Sequence, residues 1–216
     1  MKSVLVTGGT VRLGKAIADR LRTEGWRVIT SSHRADAGAD IVADLAEPMG
    51  AAKLYAAALK LLNGNPPDAL VNNAALFTGD AAAIAAVNLE APKKLTMLMA
   101  GRETGVGAVV NILDTKTLDA YRHLPTPTDA YLTSKRELLA FTRSAAATFA
   151  ATLRVNGVAP GPVLAPTEVH MKAGEMLLDR RPTADDVAAA VSYLLGAEAT
   201  TGTVIPVDAG QNLLQA

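Results

Sequence analysis

Short β-branched runs alternate along this chain with Ala/Leu-rich stretches of helical length. The runs SVLVT (3–7), RVITSS (27–32), ADIVADL (39–45), ALVNNA (69–74), GAVVNIL (107–113), LRVNGVA (153–159) and GTVIPVD (202–208) predict seven strands. Apolar residues at helical spacing predict helices over 13–25, 50–62, 81–101, 130–150 and 183–196. Gly25 ends the first helix, the turn residues NGNPPD close the second, and Thr183 is an N-cap candidate for the last. Pro92 predicts a kink or break inside the third.

Strands alternating with helices imply right-handed crossovers and a parallel sheet covered on both faces. The expected fold is α/β: one doubly wound domain over 1–216, with a seven-stranded parallel sheet flanked by helices on both faces. The irregular region lies between the sixth strand and the last helix. Ligands of such sheets bind beyond the carboxyl ends of the strands, so residues 161–182 are a candidate substrate loop.

Composition narrows the function classes. Half of the 216 residues are apolar, enough for a sizeable core, and 21 Lys plus Arg balance 21 Asp plus Glu. A zero net charge gives no bulk attraction to nucleic acid or anionic membrane. The chain has no cysteine, which excludes disulfides and thiolate metal sites. No metal site is expected: the three histidines, His33, His123 and His170, are scattered. No apolar run approaches the roughly 20 residues that span a bilayer, and the N-terminal run is too short for a signal peptide. The expectation is a soluble cytoplasmic protein acting on a small molecule, without nucleic acid or membrane partners.

The stretch TGGTVRLG, residues 7–14, joins the first strand to the first helix. Glycines at such a turn let backbone amides approach a pyrophosphate that also faces the positive helix end. A site for NAD places an acid at the end of the second strand, to hold ribose hydroxyls. Here that place reads Ser31, Ser32, His33, Arg34, with no acid until Asp36. A guanidinium in a polar cluster suits a 2′-phosphate, so NADPH is preferred over NADH.

With these motifs the chain resembles the short-chain dehydrogenase/reductase family over its whole length, which implies a Rossmann-like fold. The glycine loop, NNAA at 72–75, Asn88, YLTSK at 131–135, RVNGVAPGPV at 154–163 and VDAGQNL at 207–213 occur in the family's order. The resemblance implies Tyr131, Lys135 and Asn88 as catalytic residues. It implies a cofactor site formed by Gly8, Thr10, Arg12, Leu13, Gly14, His33, Arg34, Asp44, Leu45, Asn73, Ala74, Ala75, Tyr131, Lys135, Pro160, Gly161 and Val163. Tyr131 and Lys135, four apart, share a helix face. An ammonium beside a phenol favours the phenolate and lowers its pKa, making Tyr131 a proton donor or acceptor near neutral pH.

Two positions depart from the common pattern. Arg12 occupies the place of the middle glycine, and Asp114 stands after the fifth strand where the family has a serine. A serine hydroxyl donates to a developing oxyanion, whereas a carboxylate repels it. Both departures resemble the branch of pteridine and dihydromonapterin reductases, which implies a pterin-like substrate held by Arg12, Phe77, Asp114 and Tyr131. In that branch an aromatic ring at the position of Phe77 sandwiches the pterin against the nicotinamide. Asp114 joins the catalytic set, and Asp119 is its competitor.

The interval from Asp114 to Tyr131 is 17 residues, longer than the family's usual dozen, and residues 120–128 carry the excess. Two other readings stand beside the pterin reductase: a carbonyl reductase of the 3-oxoacyl-carrier-protein type, and a catalytically silent NADP-sensing regulator. The family commonly forms homo-oligomers, dimers or tetramers, through the two long helices.

Overall fold

The structure is a computed structural model, and it describes residues 1–103, 105–118, 129–163 and 176–215. Seven strands form one parallel sheet: β1 (Ser3–Thr7), β2 (Arg27–Ser32), β3 (Ile41–Val42), β4 (Ala69–Asn72), β5 (Gly107–Ile112), β6 (Leu153–Pro160) and β7 (Val204–Val207). Their order is β3-β2-β1-β4-β5-β6-β7, so the chain reverses direction between β1 and β4. Such a switch point opens a crevice at the carboxyl ends of the strands.

Alternating side chains explain why Val4, Leu5 and Val6, the middle of β1, are all apolar and fully buried. Val4 and Val6 face a core that also holds Ile17 and Leu21 of α1 (Arg12–Thr23) and Val187, Val191 and Leu194 of α6 (Ala184–Gly196). Leu5 faces the opposite core, built from Leu54 and Ala58 of α2 (Gly50–Leu61), Leu95 and Met99 of α4 (Ala91–Ala100) and Ala145 of α5 (Ala130–Thr148). Both faces are covered, so the central strands are largely apolar on both sides, and their buried polar residues, such as Asn72 and Asn111, hydrogen-bond to each other. Thr183 caps α6 in a capping box with Asp186.

The long helix expected over 81–101 is interrupted earlier than Pro92. Its first piece, α3 (Ala81–Ala85), runs into a π-helical turn, Ala86–Glu90, before α4 begins. A proline removes one backbone donor and crowds the carbonyl four residues back, which here belongs to Asn88. The wider turn absorbs that mismatch and contains Asn88 itself. The third strand is also shorter than the sequence predicts, two residues on the sheet edge.

Asp119, His123 and His170 lie outside the described residues, as do residues 164–175 of the expected substrate loop. No helix among the described residues is long and apolar enough to cross a membrane. None of the described residues form a group of three or more His, Cys, Asp or Glu able to hold a metal ion.

Candidate active site

The glycine loop leaves β1 and enters α1 with little room to spare. Gly8 has φ +63, and a Cβ on Gly14 would lie 2.1 Å from the Gly8 carbonyl oxygen. Only glycine at position 14 lets the helix approach the loop this closely. Asn73, just after β4, locks the loop from the neighbouring strand. Its amide donates to the carbonyls of Thr7 (2.9 Å) and Gly8 (3.2 Å), and its N–H, like that of Ala74, donates to the Thr7 hydroxyl. The amino end of α1 has no side-chain cap and no acid in its first turn. Open amides, a positive helix end and a glycine-lined approach fit a pyrophosphate.

Arg12 has φ +48, the left-handed region that glycine adopts freely. A side chain there costs about 1–2 kcal/mol, and strain of this kind persists where function needs the residue. Arg12→Gly should relieve the strain, partly offset by the extra freedom of glycine in the unfolded chain. The expected outcome is a melting temperature higher by about 2–4 °C, with weaker cofactor binding. An unchanged or lower melting temperature would show that the strain relieved does not exceed the freedom glycine adds to the unfolded chain.

At the end of β2, His33 and Arg34 are exposed, and Ser32 accepts from the Arg34 amide. The Arg34 guanidinium makes two bonds to the Asp36 carboxylate, at 3.0 and 2.7 Å, which lower the Asp36 pKa. Arg34 is therefore aimed at an anion, and its present anion is an exposed neighbour held by a weak surface pair. Asp44 is exposed and Leu45 buried, and Gly50 packs against the Asp44 carbonyl. Thr10 and Ala75 are half-buried, and Leu13 and Val163 pack on the α1–α6 core. Pro160 ends β6, and Gly161 continues its ladder by donating to the Val207 carbonyl.

The chemistry-bearing side chains meet where β5 ends and α5 begins. Asp129 caps α5 by accepting from the Tyr131 amide, which fixes Tyr131 in the first turn. Asp114 divides its carboxylate between two duties. Oδ1 accepts from the Lys116 amide and caps a short 3₁₀ turn, Thr115–Thr117, while Oδ2 accepts from the Tyr131 hydroxyl at 3.1 Å. Phe77, 60% exposed, stacks on the Tyr131 ring with centroids 4.7 Å apart. Fully buried Asn88 bonds both the N–H and the carbonyl of Leu76, and donates to Ser134 on α5. Its amide thus holds the segment that carries Phe77 against the helix that carries Tyr131.

The expectation that Lys135 lowers the tyrosine pKa is corrected. Burial pushes the Tyr131 phenol up, and the Asp114 carboxylate pushes it further. Lys135 donates to the Ile112 carbonyl at 2.7 Å, its nitrogen lies 5.9 Å from the tyrosine ring centre, and burial brings its own pKa down to about 8. The nearer charge wins, so the phenol is held protonated, as a proton donor.

A model of the short chain dehydrogenase family matches residues 2–177. Among solved structures, the FolM alternative dihydrofolate reductase 1 of Brucella canis, complexed with NADP, superposes with a TM-score of 0.85 and 31% identity, covering 98% of this chain and 94% of that one. Pteridine reductase 1 of Leishmania tarentolae is 28% identical over 98% of this chain and 96% of its own. Glucose 1-dehydrogenase 2 of Bacillus subtilis is 27% identical over 98% and 95%. These relatives are named for different substrates, and on the family match over residues 2–177 the chain belongs to the short chain dehydrogenase family.

Proposed function

We propose that this oxidoreductase is an NADPH-dependent reductase of a pterin-type substrate, a dihydropterin. One observation carries the reading: two unlike groups converge on Tyr131, with Asp114 at its hydroxyl and Phe77 on its ring face. A carboxylate suits proton delivery to nitrogen better than stabilisation of an alkoxide. An exposed aromatic ring beside the proton donor suits a flat heterocycle.

The NADP complex of the Brucella canis relative supports the cofactor, and the residues here fit it. Amides of the glycine loop between Gly8 and Gly14 would hold the pyrophosphate. Arg34 and His33 would take the 2′-phosphate once Arg34 leaves Asp36. Asp44, Leu45, Asn73, Ala74 and Ala75 would border the adenosine side, and Pro160, Gly161 and Val163 the nicotinamide side. Bound NADPH supplies a hydride to the carbon of the substrate's C=N bond.

The chain's own residues manage the proton. Tyr131 donates it to the substrate nitrogen. Asp114 is half-buried, so it takes a proton from solvent and passes it along the 3.1 Å bond to Tyr131. Lys135 offsets the negative charge that passes through the pair. Arg12, at the glycine loop, reaches the substrate's carbonyl oxygen. The same reading has the chain assemble as a homo-oligomer, dimer or tetramer, through α4 and α5, where Met97 is exposed.

Phe77→Ala tests the substrate class. Loss of one stacking contact worth about 1 kcal/mol should raise KM for a dihydropterin about fivefold, with little effect on NADPH binding. A KM that does not move would favour a 3-oxoacyl thioester, which has no ring to stack.

A further inference from the structure

Asp208, the residue that follows β7, is a carboxylate 4% exposed, and none of the chemistry above uses it. Four hydrogen bonds reach it. The Thr115 hydroxyl donates to Oδ2 at 2.5 Å, the Asn212 amide and side-chain nitrogen donate to the same oxygen at 2.9 and 2.8 Å, and the Gly210 amide donates to Oδ1 at 3.0 Å. Thr115 is itself 2% exposed and directly follows Asp114. On another side, Asp208 packs on the backbone of Gly161, where an added Cβ would lie 2.7 Å from the Asp208 Cβ.

Three segments distant in sequence therefore meet on one buried carboxylate: the turn that carries Asp114, the segment after β6, and the C-terminal 3₁₀ turn Gln211–Gln215. The Asp114 turn is short, and Asp114 caps it with one oxygen while the other meets Tyr131. Within the turn the Thr117 N–H and hydroxyl donate to the Asp114 carbonyl, at 3.0 and 2.6 Å, which shapes the turn without tying it to the rest of the fold. A charge-assisted bond to the adjacent residue, buried away from competing water, does tie it.

We propose that Asp208 and Thr115 are positioning residues: through Thr115, Asp208 fixes the turn on which Asp114 meets Tyr131, which makes the C-terminal segment a working part of the active site. This rests on the catalytic reading of Asp114. Neither residue touches the reacting atoms. Their contribution is orientation, where a displacement of about 1 Å costs up to a hundredfold in rate.

Thr115→Val tests the proposal with the least damage, because Asp208 keeps its bonds from Gly210 and Asn212. Steady-state kinetics on a dihydropterin, NADPH binding by calorimetry and thermal unfolding are measured on the full chain, beside Thr115→Ser and Asp114→Ala. The expected result for Thr115→Val is a kcat lower by about tenfold, with NADPH affinity within about twofold of the parent. Thr115→Ser, which keeps the hydroxyl, should restore kcat. A Thr115→Val enzyme with parental kcat, while Asp114→Ala is impaired, overturns the positioning role alone. Parental kcat in both variants overturns the positioning role and the catalytic reading of Asp114 together. Equal losses in Thr115→Val and Thr115→Ser would also overturn it, since the hydroxyl would then not be the cause.

Discussion

Tyr131→Phe is expected to lower kcat for hydride transfer about a thousandfold while the protein still folds and binds NADPH, the scale of losing a positioned general acid. The phenol is buried, it donates to Asp114 at 3.1 Å, and both surroundings keep its proton on. Phenylalanine preserves the ring on which Phe77 stacks, so the aromatic contact and the first turn of α5 survive. The loss should therefore fall on kcat and spare the cofactor. The parent enzyme's kcat/KM, which reports the free enzyme, should decline as pH rises through about 8, where buried Lys135 sheds its proton. A Tyr131→Phe enzyme within tenfold of the parent would mean that another group delivers the proton.

The second large effect belongs to Asp114→Ser. Serine is a good N-cap, so the turn at Thr115–Thr117 should keep its cap and the melting temperature should change little. What disappears is the carboxylate oxygen on the Tyr131 hydroxyl. For a dihydropterin the expected loss in kcat is about a hundredfold, since the path that resupplies the proton is cut. For a ketone the substitution restores a hydroxyl donor to the developing oxyanion, and the rate should hold or rise. Opposite signs on two substrates from one substitution would be hard to produce by misfolding.

Much of this scaffold is legible in the sequence because burial on both faces makes the central strands largely apolar, and the helices between them carry their own period. The Tyr131–Lys135 spacing and the glycine loop are local signals, and they fall where the local pattern places them. What the sequence hides is geometry between distant elements. Tyr131 and Asp114 are 17 positions apart, and only the packing of α5 against β5 brings them into a hydrogen bond. The direction of the tyrosine shift is hidden too, because sequence spacing shows that Lys135 is near but not that its ammonium is bonded to the Ile112 carbonyl. The break before Pro92 is a π-helical turn over Ala86–Glu90 that contains Asn88. Asp208 was visible only as part of the closing VDAGQNL stretch.

The pterin reading is tested most directly by the decay of NADPH absorbance when the unmodified protein meets dihydrobiopterin, dihydromonapterin, dihydrofolate and a 3-oxoacyl thioester in parallel. At least one dihydropterin should be reduced with a kcat/KM about a hundredfold or more above that of the thioester. No turnover of any pterin at NADPH concentrations that saturate the protein, or a preference for the thioester, would contradict it.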